Sequence, residues 1–274
     1  MSERRVLVRP DATGAVIAVE VGDGTRRNAL REGDWRTLAE SVTAAGADEA
    51  VRVLVISGRG ATFSAGSDMT EWADAEPAVV ERSFATMEAC FRAIEECPVP
   101  VIAAVEGVAA GAGCQLALAC DLVLMGESAR IGMPIARLGI LTSVDFAARV
   151  SARSGAALAA DLYLTGRLLS APEALVAGLV ARVAPDGQVV RQARDLAGGM
   201  VAEPPAAVRA AKLAVRAVTG AVPRPAATRP PQTRRLGAPE PMGAPAGETA
   251  TPAVAFDEFR VAVRRFLATR RHPA

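Results

Sequence analysis

The sequence predicts an α/β fold, and three observations predict it. Stretches of β-branched apolar text, which read as strands buried on both faces, alternate with stretches whose apolar residues recur at helical spacing. Two strand-like stretches, VRVLVISG (51–58) and PVPVIAAVEG (98–107), each lead into a loop of small residues before the next helical stretch. From about residue 187 only helical text remains. Alternating strand and helix is the signature of α/β domains, and 274 residues suffice for one large domain or a core with an appendage.

The elements follow in order. Residues 5–9 and 15–21 (AVIAVEV) are β-branched and end at the turn text GDGT, which predicts a hairpin. DWRTLAESVTAA reads as a helix with Trp35, Leu38 and Val42 on one face. After the strand at 51–58, the loop RGATFSAGSDMTEW precedes a long helix in which Val80, Phe84, Met87, Phe91 and Ile94 recur at steps of four and three. The strand at 98–107, a Gly-rich connection, a short small-residue helix and the strand DLVLMG then repeat the pattern. AAVRAAKLAVRAV is helical. Residues 221–252 hold eight of the eighteen prolines and few large apolar side chains. Such a stretch cannot bury enough surface to offset chain entropy, so it is expected to be a disordered or mobile insertion. A last amphipathic helix carries Phe256, Phe259, Val263, Phe266 and Leu267. The division expected is a core over 1–190 and a C-terminal helical region over 191–274.

Composition narrows the function classes. Hydrophobic residues make up 51%, charged residues 22%, and the net charge is +1. No field of one sign is strong enough for a nucleic-acid groove or an acidic tail. The single lysine, Lys212, among many arginines looks like a compositional bias. MSERRVLVRPD carries no apolar run of signal-peptide length, and nothing later reaches the roughly 18 uncharged residues of a membrane span. A cytoplasmic protein with no membrane or nucleic-acid partner is expected. Cys90, Cys97, Cys114 and Cys120 sit in apolar text without the spacing of a metal knuckle, which predicts buried free thiols and no metal.

Two loops leave the backbone bare after a buried strand: FSAGSD (63–68) and AAGAGC (109–114). Small residues there permit close packing of helix on sheet. They also let main-chain N–H groups approach a ligand, and the second set lies at a helix N-terminus that favours negative charge. Two amides aimed at one point make an oxyanion hole.

Five motifs in order carry a likeness: RRNAL (26–30), FSAGSDMTEW (63–72), PVIAAVEGVAAGAGCQLALACDLVL (100–124), IGMPIARLGI (131–140) and LTGRLLSAPEALVAGLVARV (164–183). With them the chain resembles the crotonase superfamily, the enoyl-CoA hydratase and isomerase family, over residues 5–220 and the last helix. The resemblance implies a spiral of ββα turns followed by a helical region that packs subunits into trimers, often paired as hexamers. It implies that the N–H groups of Ser67 and Ala112 hold a thioester carbonyl. Arg26, Arg27, Ala65 and Ser67, with Gly66, Asp68 and Gly111 beside them, are the positions it marks for the coenzyme A moiety. Coenzyme A, or a carrier protein's phosphopantetheine, would enter as part of the substrate, with no tightly bound cofactor.

Hydratases of that family use two glutamates, one to activate water and one to deliver a proton to the α-carbon. The matching positions here are Gln115 and Ile135. Neither can take a proton, so the resemblance implies a retained scaffold with altered chemistry. Ser143 falls where some members carry an aspartate, and Asp145 follows two residues on; TSVDFAARV also reads as a helix start with Thr142 or Ser143 as cap. Asp68 and Glu71 stand for either salt bridges or, for Glu71, the first-loop chemistry of related decarboxylases. Cys114 and Tyr163 read as packing, and His272 lies in a terminal segment expected to fray. The expected function is an acyl-thioester enzyme that stabilises an enolate. The alternatives are an inactive acyl-CoA-binding homologue, a thioester decarboxylase of a biosynthetic pathway, or a structural subunit of a hetero-oligomer.

Overall fold

The computed structural model describes residues 5–220 and 252–271. The proline-rich stretch expected to be mobile lies, apart from Pro252, outside the described residues, as does His272. In chain order the elements are β1 (Val6–Pro10), β2 (Val16–Val21), α1 (Glu32–Ala47), β3 (Val53–Gly58), α2 (Pro77–Glu96), β4 (Val101–Val105), β5 (Val108–Ala110), α3 (Ala112–Ala119), β6 (Leu122–Gly126), β7 (Arg130–Gly132), α4 (Val144–Thr165), β8 (Leu168–Ser170), α5 (Ala171–Val176), β9 (Arg182–Ala184), α6 (Val189–Ala202), α7 (Pro205–Gly220) and α8 (Phe256–Arg271).

One six-stranded sheet runs in the order β1-β2-β3-β4-β6-β9, and a three-stranded sheet in the order β5-β7-β8. The predicted hairpin is present, with β1 antiparallel to β2 in register Val8↔Val19. From β2 to β9 every pairing in the large sheet is parallel. Strand text apolar on both sides is explained by what covers each face. Leu54, Ile56, Ala103, Val105 and Val123 enter a core with α1, α2 and α3, whereas Val53, Val55, Ile102, Ala104 and Leu124 pack under α6. Helix α6 presents Val189, Ala193 and Ala197, one residue per turn, to that second face.

The predicted helical faces hold. Trp35, Leu38 and Val42 of α1 are fully buried, and Trp35 meets Phe91 of α2 edge-on, with ring centroids 5.5 Å apart. Helix α4 breaks at Gly155 (φ 80°, ψ 164°), a conformation that L residues avoid. Helix α8 returns to the body of the molecule. Leu141 N–H donates to Ala253 O (3.0 Å) and Ala255 N–H to Gly139 O (3.1 Å), and Phe259 is fully buried beside Trp72. Among the described residues no helix is long and apolar enough to cross a membrane.

Candidate active site

The site begins with an unusual backbone. Arg26, Arg27 and Asn28 all take left-handed conformations (φ 47°, 55° and 53°) without a glycine among them. Strain of about 1–2 kcal/mol per residue has to be offset by contacts. Asn28 supplies them: its buried Oδ1 accepts from Gly24 N–H (2.8 Å), and its Nδ2 donates to Arg59 O (2.9 Å) and Thr62 O (2.7 Å). Gly22 (φ +88°) must be glycine, because a Cβ would fall 2.2 Å from Asn28 Oδ1. The turn in turn anchors the first loop. Ala65 N–H donates to Arg27 O, Ser64 Oγ to Asn28 O, and Leu30 N–H to Gly66 O.

The loop after β3 is stitched to β5. Ser64 N–H donates to Val108 O (2.9 Å) and Ala110 N–H to Ser64 O (3.1 Å), so the two bare loops lie side by side. At their closest approach a Cβ on Gly66 would stand 3.0 Å from Ala112 N and 2.9 Å from Ala110 O, and one on Gly113 would stand 2.1 Å from Ser64 O. Glycine is therefore demanded by the approach of the two chains. Ala112 is the first residue of α3, where a backbone N–H has no partner within the helix. Among the described residues no acceptor takes the N–H of Ser67 or that of Ala112.

Both residues line a cavity of about 950 Å³. Arg26, Arg27 and Ala65 also line it, with Asp68, Gly111, Met87, Ile135, Phe146, Trp72, Phe84, Arg137, Phe266 and Leu267. Next to the amides the wall is apolar. Ser67 Oγ donates to Met87 Sδ at 3.4 Å, and Ile135 Cγ2 would lie 3.6 Å from a Cβ on Gly111. Asp68 is 3% exposed; it caps the 3-10 turn Met69–Glu71 and pairs with Arg26 (2.9 Å) and Arg31 (3.6 Å). Burial pushes its pKa up, but hydrogen bonds from the Thr70 hydroxyl and amide, together with the Arg26 guanidinium, hold it below the ordinary carboxylate value.

The sequence model of the enoyl-CoA hydratase/isomerase family matches residues 11–229. The chain belongs to that family. It is thus an enzyme of the enoyl-CoA hydratase/isomerase family, a family that acts on CoA thioesters. It is 36% identical over 201 residues to the 2,3-dehydroadipyl-CoA hydratase of Escherichia coli, covering 73% of this chain and 78% of the relative. It is also 36% identical over 210 residues to a putative enoyl-CoA hydratase of Thermus thermophilus, covering 76% and 83%. Among solved structures, a putative enoyl-CoA hydratase/isomerase family protein of Hyphomonas neptunium superposes with a TM-score of 0.75 at 31% identity, over 78% of this chain and 82% of that one.

Within this enoyl-CoA hydratase/isomerase scaffold, four residues put forward from the sequence do not reach the cavity wall. Gln115 is fully buried beneath it, because Nε2 donates to Tyr163 Oη (3.0 Å) and Phe146 O (3.3 Å) while Oε1 accepts from Arg149 (3.2 Å). Glu71 turns to α1, where its carboxylate accepts from Glu32 N–H (2.8 Å); burial, outweighing that bond, raises its pKa. Ser143 caps α4 by accepting from Phe146 N–H (3.1 Å), and Asp145 sits in the first turn of the same helix. All four cysteines are free and buried, and desolvation pushes Cys114 up to about 12. A thiol held so far above neutrality is a packing group, not a nucleophile.

The sequence reading missed the cluster behind the wall. Arg149 pairs with Glu88 and Glu95 (2.6 Å to the latter) and stacks over Phe91, its charge-assisted bonds saturating the guanidinium. Its partners lie 34, 54 and 61 residues away in sequence, so no local pattern announces it.

Proposed function

We propose that this enzyme holds the carbonyl of an acyl-CoA thioester between the N–H groups of Ser67 and Ala112, stabilises the enolate formed there, and does so in a reaction other than the addition of water. One observation carries the reading. Two amides without an acceptor among the described residues meet in a cavity wall where the adjoining side chains are Met87 and Ile135, and the described carboxylates that line the cavity are Asp68 and the exposed Asp74, which pairs with Arg264.

Negative charge that develops on the thioester oxygen is met by preformed dipoles, including the N-terminus of α3. Adding water to a double bond would need one group to take a proton from water and another to deliver it to carbon. Gln115 is occupied behind the wall and Ile135 has nothing to offer. Asp68, held ionised by Thr70 and Arg26, is a weak base. Loss of carbon dioxide from a thioester bearing an α-carboxylate avoids the requirement: the electrons of the broken C–C bond become the enolate, and water from the open cavity returns the proton. Arg26 and Arg27, exposed at the rim, are placed to meet the phosphates of coenzyme A.

The test is mass analysis of malonyl-, methylmalonyl-, crotonyl- and dienoyl-CoA after incubation with the protein. Esters with an α-carboxylate should lose carbon dioxide, while crotonyl-CoA stays unchanged. Efficient hydration of crotonyl-CoA would refute the proposal, and binding without turnover across the set would make the chain an acyl-CoA-binding protein.

Subunit association through the C-terminal helices belongs to the same proposal, supported by the exposed Leu213, Val215 and Val218 of α7. Light scattering should give a trimer or hexamer mass.

A further inference from the structure

We infer that the acyl group selected by this site is apolar beyond its α-carbon, and that acyl groups carrying a carboxylate further out than the α-carbon are excluded. The inference rests on the thioester reading above and names the substrate class for the same cavity.

Helix α2 carries Phe84 and Met87, three residues apart and so on one face. Met87 Sδ lies 3.4 Å from Ser67 Oγ, so the α2 wall starts at the amides themselves. Phe84, further along it, stacks on Trp72 with ring centroids 5.1 Å apart and planes 20° from parallel. Phe146 lines the same space from the first turn of α4. An acyl chain leaving the carbonyl along this wall meets a thioether and aromatic rings. Trp72 Nε1 is buried with no acceptor among the described residues, so the indole offers the cavity carbon.

Of the nearby cations, Arg149 and Arg26 are paired with carboxylates, and Arg27 and Arg137 line the cavity from exposed positions. Arg149, behind Phe146, is held between Glu88 and Glu95, so a carboxylate driven that way meets two others. Arg26 pairs with Asp68, and Arg27 is exposed at the rim. Arg137, also exposed, donates to Thr165 O at the C-terminal end of α4. A terminal carboxylate seated against Phe84 and Phe146 would lose its water without gaining a partner. An α-carboxylate is held one carbon from the thioester carbonyl and is not carried along the chain to that aromatic wall, so it falls outside the exclusion.

Calorimetric titration of the full chain with free CoA, acetyl-CoA, hexanoyl-CoA and adipyl-CoA tests this. Each buried methylene contributes about fourfold in affinity, so hexanoyl-CoA should bind at least tenfold tighter than acetyl-CoA. Adipyl-CoA, of equal chain length, should bind at least tenfold more weakly than hexanoyl-CoA. Phe84→Arg should shrink or reverse that second ratio; the wild-type comparison stands alone if this variant fails to fold. Adipyl-CoA binding within threefold of hexanoyl-CoA, or adipyl-CoA affinity that depends on Arg137 in an Arg137→Ala variant, would overturn the inference and leave the thioester reading standing. Esters that bind no better than free CoA, with Ala112→Pro leaving their binding unchanged, would bring down that reading and this inference with it.

Discussion

The peptide nitrogen of Ala112 is the atom on which the proposed chemistry most depends, and its place at the first position of α3 makes it testable. Proline is tolerated at that position and carries no N–H. Ala112→Pro is therefore expected to lower kcat about 10²- to 10³-fold, the usual effect of removing one oxyanion donor, with an intact circular dichroism spectrum. Asn28 is a second such point. Truncation in Asn28→Ala removes three hydrogen bonds and places alanine at φ 53°, and a urea melt should show a loss of roughly 2–4 kcal/mol. Asp68 and Glu71 should act on stability with opposite sign. The Asp68 pKa is lowered below 3.8 by folding, so its stabilisation is complete above that value and is lost as pH falls through the folded pKa. The Glu71 pKa is raised above 4.5, so its contribution favours the folded state in acid and disappears as pH rises through the folded pKa. Acid unfolding curves should flatten in Asp68→Asn, and Glu71→Gln should raise Tm at neutral pH. At this scale the sequence was partly legible. The bare loops showed themselves through glycine and alanine, but RRN has no glycine, and its left-handed turn is imposed by Asn28 reaching residues more than thirty positions away.

Helices and long strands were legible because each carries its own period. Of the five positions that the spacing on α2 puts on one face, Val80, Met87, Phe91 and Ile94 are buried, whereas Phe84 is half-buried because it faces the cavity. Strands β5, β7, β8 and β9 have three residues each, too few to show an alternation, and only pairing with distant partners defines them. The contact of α2, α3 and α4 through Arg149 was illegible for the same reason. Its energetics can be separated by mutation. Arg149→Met leaves Glu88 and Glu95 facing each other and is expected to cost about 3–5 kcal/mol, whereas adding Glu88→Leu and Glu95→Leu should recover most of that loss in a denaturant titration. Recovery would show that the cluster fixes the seat of Phe146 more than it stabilises the fold.

For the molecule as a whole, one sheet covered on both faces carries the first loop, and the smaller sheet carries the second. The cavity between them is finished by a distant piece of chain, since Phe266 and Leu267 of α8 line it and Phe259 packs against Trp72. A protein ending at residue 251 should keep most of its secondary structure yet bind hexanoyl-CoA at least tenfold more weakly. Synthesis proceeds from the other end, and early segments fold while later ones are still being made. The strands and both bare loops can thus assemble on the ribosome while the pocket still lacks a side. Full affinity for a substrate therefore waits for α8, and a product truncated before that helix would be folded yet poorly receptive.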